Sequence, residues 1–227
     1  MLFASLYSLS NYAQENPSIL QIEKDAILYM REEEKLARDV YNILYEKWEV
    51  NPFGNIRQSE QHHMDRVKEL ITKYKLEDPV EKNSDKRGVF SNTVFTNYYT
   101  DLVASGNKSL ADALKAGAKI EELDIADLEK RIQQTQNEEI IATYKYLKMA
   151  SGNHLRAFTR NLQRQGIEYK PEILSKEQYD AIINSENSHD GHEGTKPGKE
   201  NGGGNGKGCG NGNGCGNGKG CGKNCKH

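Results

Sequence analysis

Residues 59–70 read SEQHHMDRVKEL, and the spacing within this stretch decides how the rest of the chain is read. Glu60 and His63 stand three residues apart, and Val67 and Leu70 continue at steps of four and three. On an α-helix those intervals stack side chains on one face, so an acid and an imidazole lie together on the side that also carries the aliphatic residues. Extended both ways, the stripe is Ile56, Glu60, His63, Val67, Leu70 and Tyr74, in a helix that starts after Gly54 and ends before Pro79. His62 points away from that stripe and reads as a surface residue.

The preceding segment, Ile22 to Trp48, has neither Gly nor Pro and repeats the pattern at Ile27, Met30, Glu34, Ala37, Tyr41, Leu44 and Trp48. It reads as a long helix with one buried stripe, stopped by Asn51-Pro52. Downstream, a third helix begins at Ser109 as N-cap, with Leu110, Leu114, Gly117, Glu121, Asp124, Leu128 and Ile132 along one side. A fourth runs from about Asn137 to Gln165 with Ile140, Tyr144, Leu147, Ser151, His154, Phe158 and Leu162 in register, and Gly166 closes it. Ser175 to Asn184 reads as a short C-terminal helix able to dock Tyr179, Ile182 and Ile183. Between the second and third long helices, Leu76 to Ser109 is too long for a hairpin loop and carries a short helix of its own near Val94 to Ala104. A connection of that kind is needed when two successive long helices run parallel. The expected fold is all-α: a four-helix bundle with one long crossover and a short terminal helix.

Each long helix places an acid or a histidine where its stripe should be apolar: Glu34, then Glu60 with His63, then Glu121 with Asp124, then His154. Carboxylates are rarely buried unless paired or ligated, and an uncompensated one costs several kcal/mol. Four helices repeating the fault require a shared compensation, and a pair of dications supplies one. Of the run Glu32-Glu33-Glu34, Glu34 aligns with Met30, Ala37 and Tyr41, with Glu33 the second choice; the two not chosen, Glu32 and Glu33, read as solvated surface. Glu122 becomes an alternative ligand if the third helix is rotated by about 100°. Tyr41 and Tyr144 face inward near the ligand positions, either to hydrogen-bond the carboxylates or as plain core aromatics. A competing reading has the inward acids paired with Arg31 and Arg38 and no metal bound.

The runs EKLARDVY from Glu34, SEQHH from Ser59 and ASGNHLRAF from Ala150 resemble those of rubrerythrin-type ferritin-like proteins, and MREEEKLARDVY from Met30, IEELDIADL from Ile120 and SGNHLRAF from Ser151 read as DUF2202 signatures. In combination they are similar to the ferritin-like DUF2202 family, over roughly Ile22 to Ile183. The resemblance implies a di-metal carboxylate centre with Glu34, Glu60, His63, Glu121, Asp124 and His154 as ligands. The sequence departs from the ferritin-like pattern at one place: a second E-x-x-H on the fourth helix would need Glu where Ser151 stands, so one bridging carboxylate is absent. Asp124 is the candidate to replace it, or only one ion is held tightly.

Oxygen and imidazole donors without a thiolate suit iron or manganese, with zinc and copper able to compete. Iron is the expected metal, two ions per chain. The function implied by the resemblance is an oxidase or peroxidase acting on ferrous iron, O2 or hydrogen peroxide. A non-catalytic metal-binding or sequestration protein is the alternative.

The chain has 227 residues and a net charge of −2, with basic and acidic residues evenly mixed. That distribution gives no footprint for nucleic acid, and no apolar run approaches the roughly 20 residues of a membrane span. Residues 1–14, uncharged and apolar, read as the remnant of a secretory signal peptide, which implies a secreted or periplasmic location; a short apolar arm on a cytoplasmic protein is the alternative. Residues 15–184 form the bundle domain. Residues 185–227, where most of the 21 glycines lie, lack the apolar content to fold. All four cysteines, Cys209, Cys215, Cys221 and Cys225, fall in that tail with His189, His192 and His227. Their spacing matches neither a paired C-x-x-C zinc pattern nor a rubredoxin-type iron site. A homodimer is the candidate assembly of the bundle.

Overall fold

The computed structural model describes residues 19–185. The signal-peptide reading, the tail reading and the four cysteines therefore lie outside the described residues. Among the described residues there are seven helices and no strand: α1 (Gln21–Trp48), α2 (Phe53–Lys73), α3 (Pro79–Lys82), α4 (Thr93–Gly106), α5 (Leu110–Ile132), α6 (Glu138–Arg164) and α7 (Lys176–Asn184). The chain is all-α, and none of these helices is long and apolar enough to cross a membrane.

Local chemistry sets most boundaries. Ser109 caps α5 by accepting from the Asp112 N–H at 3.0 Å, and the Asn137 side chain caps α6 by accepting from Glu139 N–H at 3.1 Å. Such caps satisfy N–H groups that have no partner inside the helix. Gly166, at φ +73°, supplies the left-handed residue after α6. Ser175 and Gln178 bond reciprocally across the first turn of α7, 3.2 Å and 3.0 Å. The crossover contains, besides α4, a single turn that the sequence reading missed. It is started by Pro79 and capped by Asp78, which accepts from Val80 N–H at 2.8 Å.

The core is divided in two. One apolar cluster gathers Leu36, Val40 and Leu44 of α1, Phe53 and Ile56 of α2, Ala113, Leu114 and Ile120 of α5, and Leu155, Phe158 and Leu162 of α6. The other gathers Ile27 and Met30 of α1, Val67, Leu70 and Ile71 of α2, Leu128 of α5, and Ile140, Tyr144 and Leu147 of α6. The order in which each helix visits the two clusters gives its direction: α1 runs parallel to α6, and α2 runs parallel to α5. The crossover thus joins two parallel helices, as its length requires. α1 packs along α2 and α5 along α6, with further contacts between α1 and α5 and between α2 and α6. The gap between the clusters falls at Glu34, at Glu60 to His63, at Glu121 to Asp124 and at Ser151 to His154. These are the positions where the stripes turn polar.

Candidate metal centre

Four helices deliver the ionisable layer, and two groups of three converge within it. Glu34, Glu60 and His63 form one, and Glu60, Glu121 and His154 the other; within each, the donor atoms all lie within 4.8 Å of one another, and all five residues are buried. Glu60 belongs to both. Its Oε2 lies 2.8 Å from His63 Nδ1 and its Oε1 lies 2.9 Å from His154 Nδ1. Glu34 Oε2 approaches His63 Nδ1 at 3.2 Å, and Glu121 Oε2 approaches His154 Nδ1 at 3.4 Å. Each pair of neighbouring helices therefore contributes one histidine and one terminal carboxylate, and α2 adds the carboxylate between them.

Several of these atoms have no hydrogen-bond partner although they are buried: Glu34 Oε1, Glu60 Oε1, Asp124 Oδ1 and His154 Nδ1. Glu60 Oε1 and His154 Nδ1 are 2.9 Å apart yet not aligned for a hydrogen bond. Close approach without alignment is what donors show when their lone pairs aim at a common point, whereas a buried polar atom ordinarily finds a bond.

The electrostatics match. Burial alone would push Glu60 up, but His154 and His63 outweigh it and hold its carboxyl well below the usual range. Burial raises Glu34 to about 7 against the pull of His63, and burial also raises Glu121 and Asp124. Burial would lower both histidines; instead Glu60 and Glu34 raise His63 well above its ordinary value, and Glu60 with Glu121 raises His154 to about 10. Such opposed shifts concentrated in one buried cluster make it the candidate functional site.

Asp124 stands beside the two groups of three. Its carboxylate accepts from the Ser151 hydroxyl, which also lies 2.9 Å from the Leu147 carbonyl. Ser151 thus ties a carboxylate from α5 to α6, three residues before His154. Tyr41 donates to Glu121 Oε1 at 2.6 Å, whereas the Tyr144 hydroxyl, in the apolar cluster, has no partner among the described residues. His62 is exposed, as its spacing predicts.

Three readings of neighbouring acids need correction. Glu32 and Glu33 are not solvated surface; they are 4% and 1% exposed. Glu32 accepts from Asn92 N–H at 3.0 Å and from Ser91 N–H, fastening the segment before α4. Glu33 has neither oxygen hydrogen-bonded, and burial followed by Asp124 pushes its carboxyl well up. Glu122 is no alternative ligand: its carboxylate accepts from the Tyr169 hydroxyl at 2.6 Å and from the backbone N–H groups of Glu172, Ile173 and Leu174 at 3.0, 2.8 and 2.9 Å. Arg31 and Arg38 do not neutralise the inward acids either. Arg31 pairs with Asp78 at 3.0 Å and Arg38 with Asp85 at 2.6 Å, which removes the metal-free network built on them.

Ser59 is the residue the stripe reading overlooks. Its Oγ lies 3.0 Å from His154 Nε2 and 3.4 Å from His63 Nε2. The signal that finds it is the four-residue interval to His63 on the same helix.

Comparison with known proteins gives a family and a relative. The family described as "Uncharacterized protein domain (DUF2202)" matches residues 23–186. "Uncharacterized protein MJ0754" of Methanocaldococcus jannaschii is 54% identical over 167 residues, 74% of this chain and 89% of that protein. The crystal structure of hypothetical protein MJ0754 from Methanococcus jannaschii superposes with a TM-score of 0.73 at 50% identity, over 81% of this chain and 99% of that one.

Proposed function

The chain belongs to the DUF2202 family, and from that premise and the geometry above we propose that it is a ferritin-like four-helix bundle whose interior holds two metal ions. Glu34 and His63 would hold one ion, Glu121 and His154 the other, with Glu60 between them and Asp124 completing the set. The observation that carries this reading is Glu60, a buried carboxylate with one oxygen beside each histidine and one of those oxygens unpartnered. The donor set fits. Glu34, Glu60, Glu121 and Asp124, when ionised, carry four negative charges in a buried layer, which two dications cancel. All donors are carboxylate or imidazole, which suits iron or manganese.

Iron bound there would supply the redox chemistry for reducing O2 or hydrogen peroxide, so the activity we assign is that of an oxidase or peroxidase using ferrous iron, O2 or peroxide. The protein's own part is separate. Tyr41 fixes the Glu121 carboxylate by donating to one oxygen, leaving the other beside His154. Ser151 fixes Asp124 in the same way. The two apolar clusters close the layer from both ends, keeping water from competing for the donors and strengthening every charge interaction inside.

Metal analysis of protein from iron-replete cells tests the site, and stopped-flow mixing of the ferrous form with peroxide tests the activity. Two irons per chain, lost in Glu60→Ala and His154→Ala, with peroxide consumed faster than by free ferrous ion, is the expected result. Unchanged metal content in both variants would remove the site. Metal bound without accelerated consumption would leave a sequestration protein.

A further inference from the structure

Both histidines turn Nδ1 toward the carboxylates and Nε2 toward the same atom, the hydroxyl oxygen of Ser59. That oxygen is 3.0 Å from His154 Nε2 and 3.4 Å from His63 Nε2, and the two rings stack with centroids 5.5 Å apart and planes inclined by 21°. Ser59 sits on α2 immediately before Glu60 and one turn before His63, where α2 meets α6.

We propose that Ser59 is a shared positioning residue for the two metal-binding histidines. Its oxygen accepts the Nε2–H of both rings and so holds each imidazole in the tautomer whose Nδ1 lone pair faces the metal centre. This inference rests on the metal reading above.

The chemistry follows from the inventory of donors. A neutral imidazole has one N–H and one lone pair, and the hydrogen bond at one nitrogen decides which nitrogen remains to ligate. A serine hydroxyl has two acceptor lone pairs, so one oxygen can serve two imidazoles. If either ring instead carried its proton on Nδ1, that proton would point at Glu60 and the nitrogen would be closed to metal. Ser59 is also the atom that ties the two halves together. One ring belongs to its own helix and the other to α6, so a single hydroxyl sets the relative orientation of donors from both helix pairs.

The test uses the full chain, cobalt(II) titration for affinity, and nitrogen-15 NMR of histidine-labelled, zinc(II)-loaded protein for the tautomer. In the natural protein both ring protons are expected on Nε2, protected from solvent exchange. Ser59→Ala is expected to bind cobalt(II) about 10- to 100-fold more weakly with rapid ring-proton exchange, and Ser59→Thr, which keeps the hydroxyl, to restore both. A proton on Nδ1 of either ring in the zinc(II)-loaded natural protein overturns the proposal without recourse to any variant. So does Ser59→Ala with unchanged affinity and exchange, or a loss that Ser59→Thr fails to restore. If the natural chain binds no cobalt(II) or zinc(II), the metal reading itself falls and this inference with it. Tight binding that ignores Ser59 sinks the inference alone.

Discussion

The imidazoles of His63 and His154 stack with their planes inclined by only 21°, although they come from different helices and both are buried. Two imidazolium ions would repel in that arrangement, and burial would normally strip their protons. The carboxylates reverse this: Glu60 and Glu34 raise His63, and Glu60 and Glu121 raise His154 to about 10. Near neutral pH the metal-free layer therefore balances its acids with protons, the role that dications would take over.

Metal binding should accordingly release protons. Ligands must be deprotonated to coordinate, and at pH 7 both histidines and part of the Glu34 population, whose value is pushed up to about 7, still carry theirs. Adding cobalt(II) or ferrous ion to weakly buffered protein is expected to liberate more than one proton per ion. Affinity should climb as pH rises from neutrality toward about 10, where His154 titrates. Binding with no proton release at pH 7 would contradict the assignment of these two rings as ligands.

The same shifts fix how stability depends on pH in metal-free protein. A group whose folded value is raised stabilises fully below its unfolded value and loses that contribution as pH rises through the folded one. Glu34 is raised from 4.5 to about 7 and His154 from 6.5 to about 10, so the midpoint of thermal unfolding should fall between pH 5 and pH 10. Glu60, held low, acts oppositely: its contribution is present above 4.5 and is lost as pH falls through its depressed value. Saturating metal should flatten the alkaline decline. Scanning calorimetry with and without chelator measures both curves.

Glu122 separates structural acids from ligands. Its carboxylate takes one hydroxyl and three backbone N–H groups from the segment after α6, and bonds to a charged acceptor contribute about 1.5–3 kcal/mol each. Glu122→Ala would leave those donors without their acceptor. It should destabilise the chain by at least about 3 kcal/mol in urea unfolding while metal stoichiometry stays unchanged. Glu121→Ala, one residue away, should lose metal at a smaller cost in stability, because it removes a raised and costly buried carboxyl and leaves the Tyr41 hydroxyl the Gly117 carbonyl as acceptor.

The contrast between those two neighbours shows what a single sequence makes legible. Helices α1, α2, α5 and α6 could be read because three-and-four spacing, Pro52, Ser109, Asn137 and Gly166 are local signals. Glu60 and His63 could be read because their interval is itself a geometric statement. Glu122 and Glu32 could not, since their partners lie in segments about 50 to 60 positions away and no periodicity encodes where a loop returns. The stripe picked Glu34 out of its run, but it could not show that Glu33, one helical step of about 100° away, is buried as well. Ser59 escaped because a hydroxyl beside a polar pair carries no hydropathy signal. Its partner His154 is 95 positions distant.

Gly117 links the apolar packing to the centre. A Cβ placed there would come within 2.5 Å of Phe158 Cε1, and the Gly117 carbonyl lies 3.3 Å from the Tyr41 hydroxyl that bonds Glu121. Gly117→Ala should therefore force the Phe158 ring aside, at about 1–3 kcal/mol for overpacking. Because the Phe158 and Tyr41 rings stand only 5.3 Å apart, the shift should also disturb the hydrogen bond to Glu121 and weaken metal binding. Phe158→Leu in the same chain opens space at the clash. In a double-mutant cycle the pair should recover part of the stability that Gly117→Ala loses, with a coupling of at least about 0.5 kcal/mol. Simple additivity of the two substitutions would mean that the close contact between Gly117 and Phe158 is not the source of the strain.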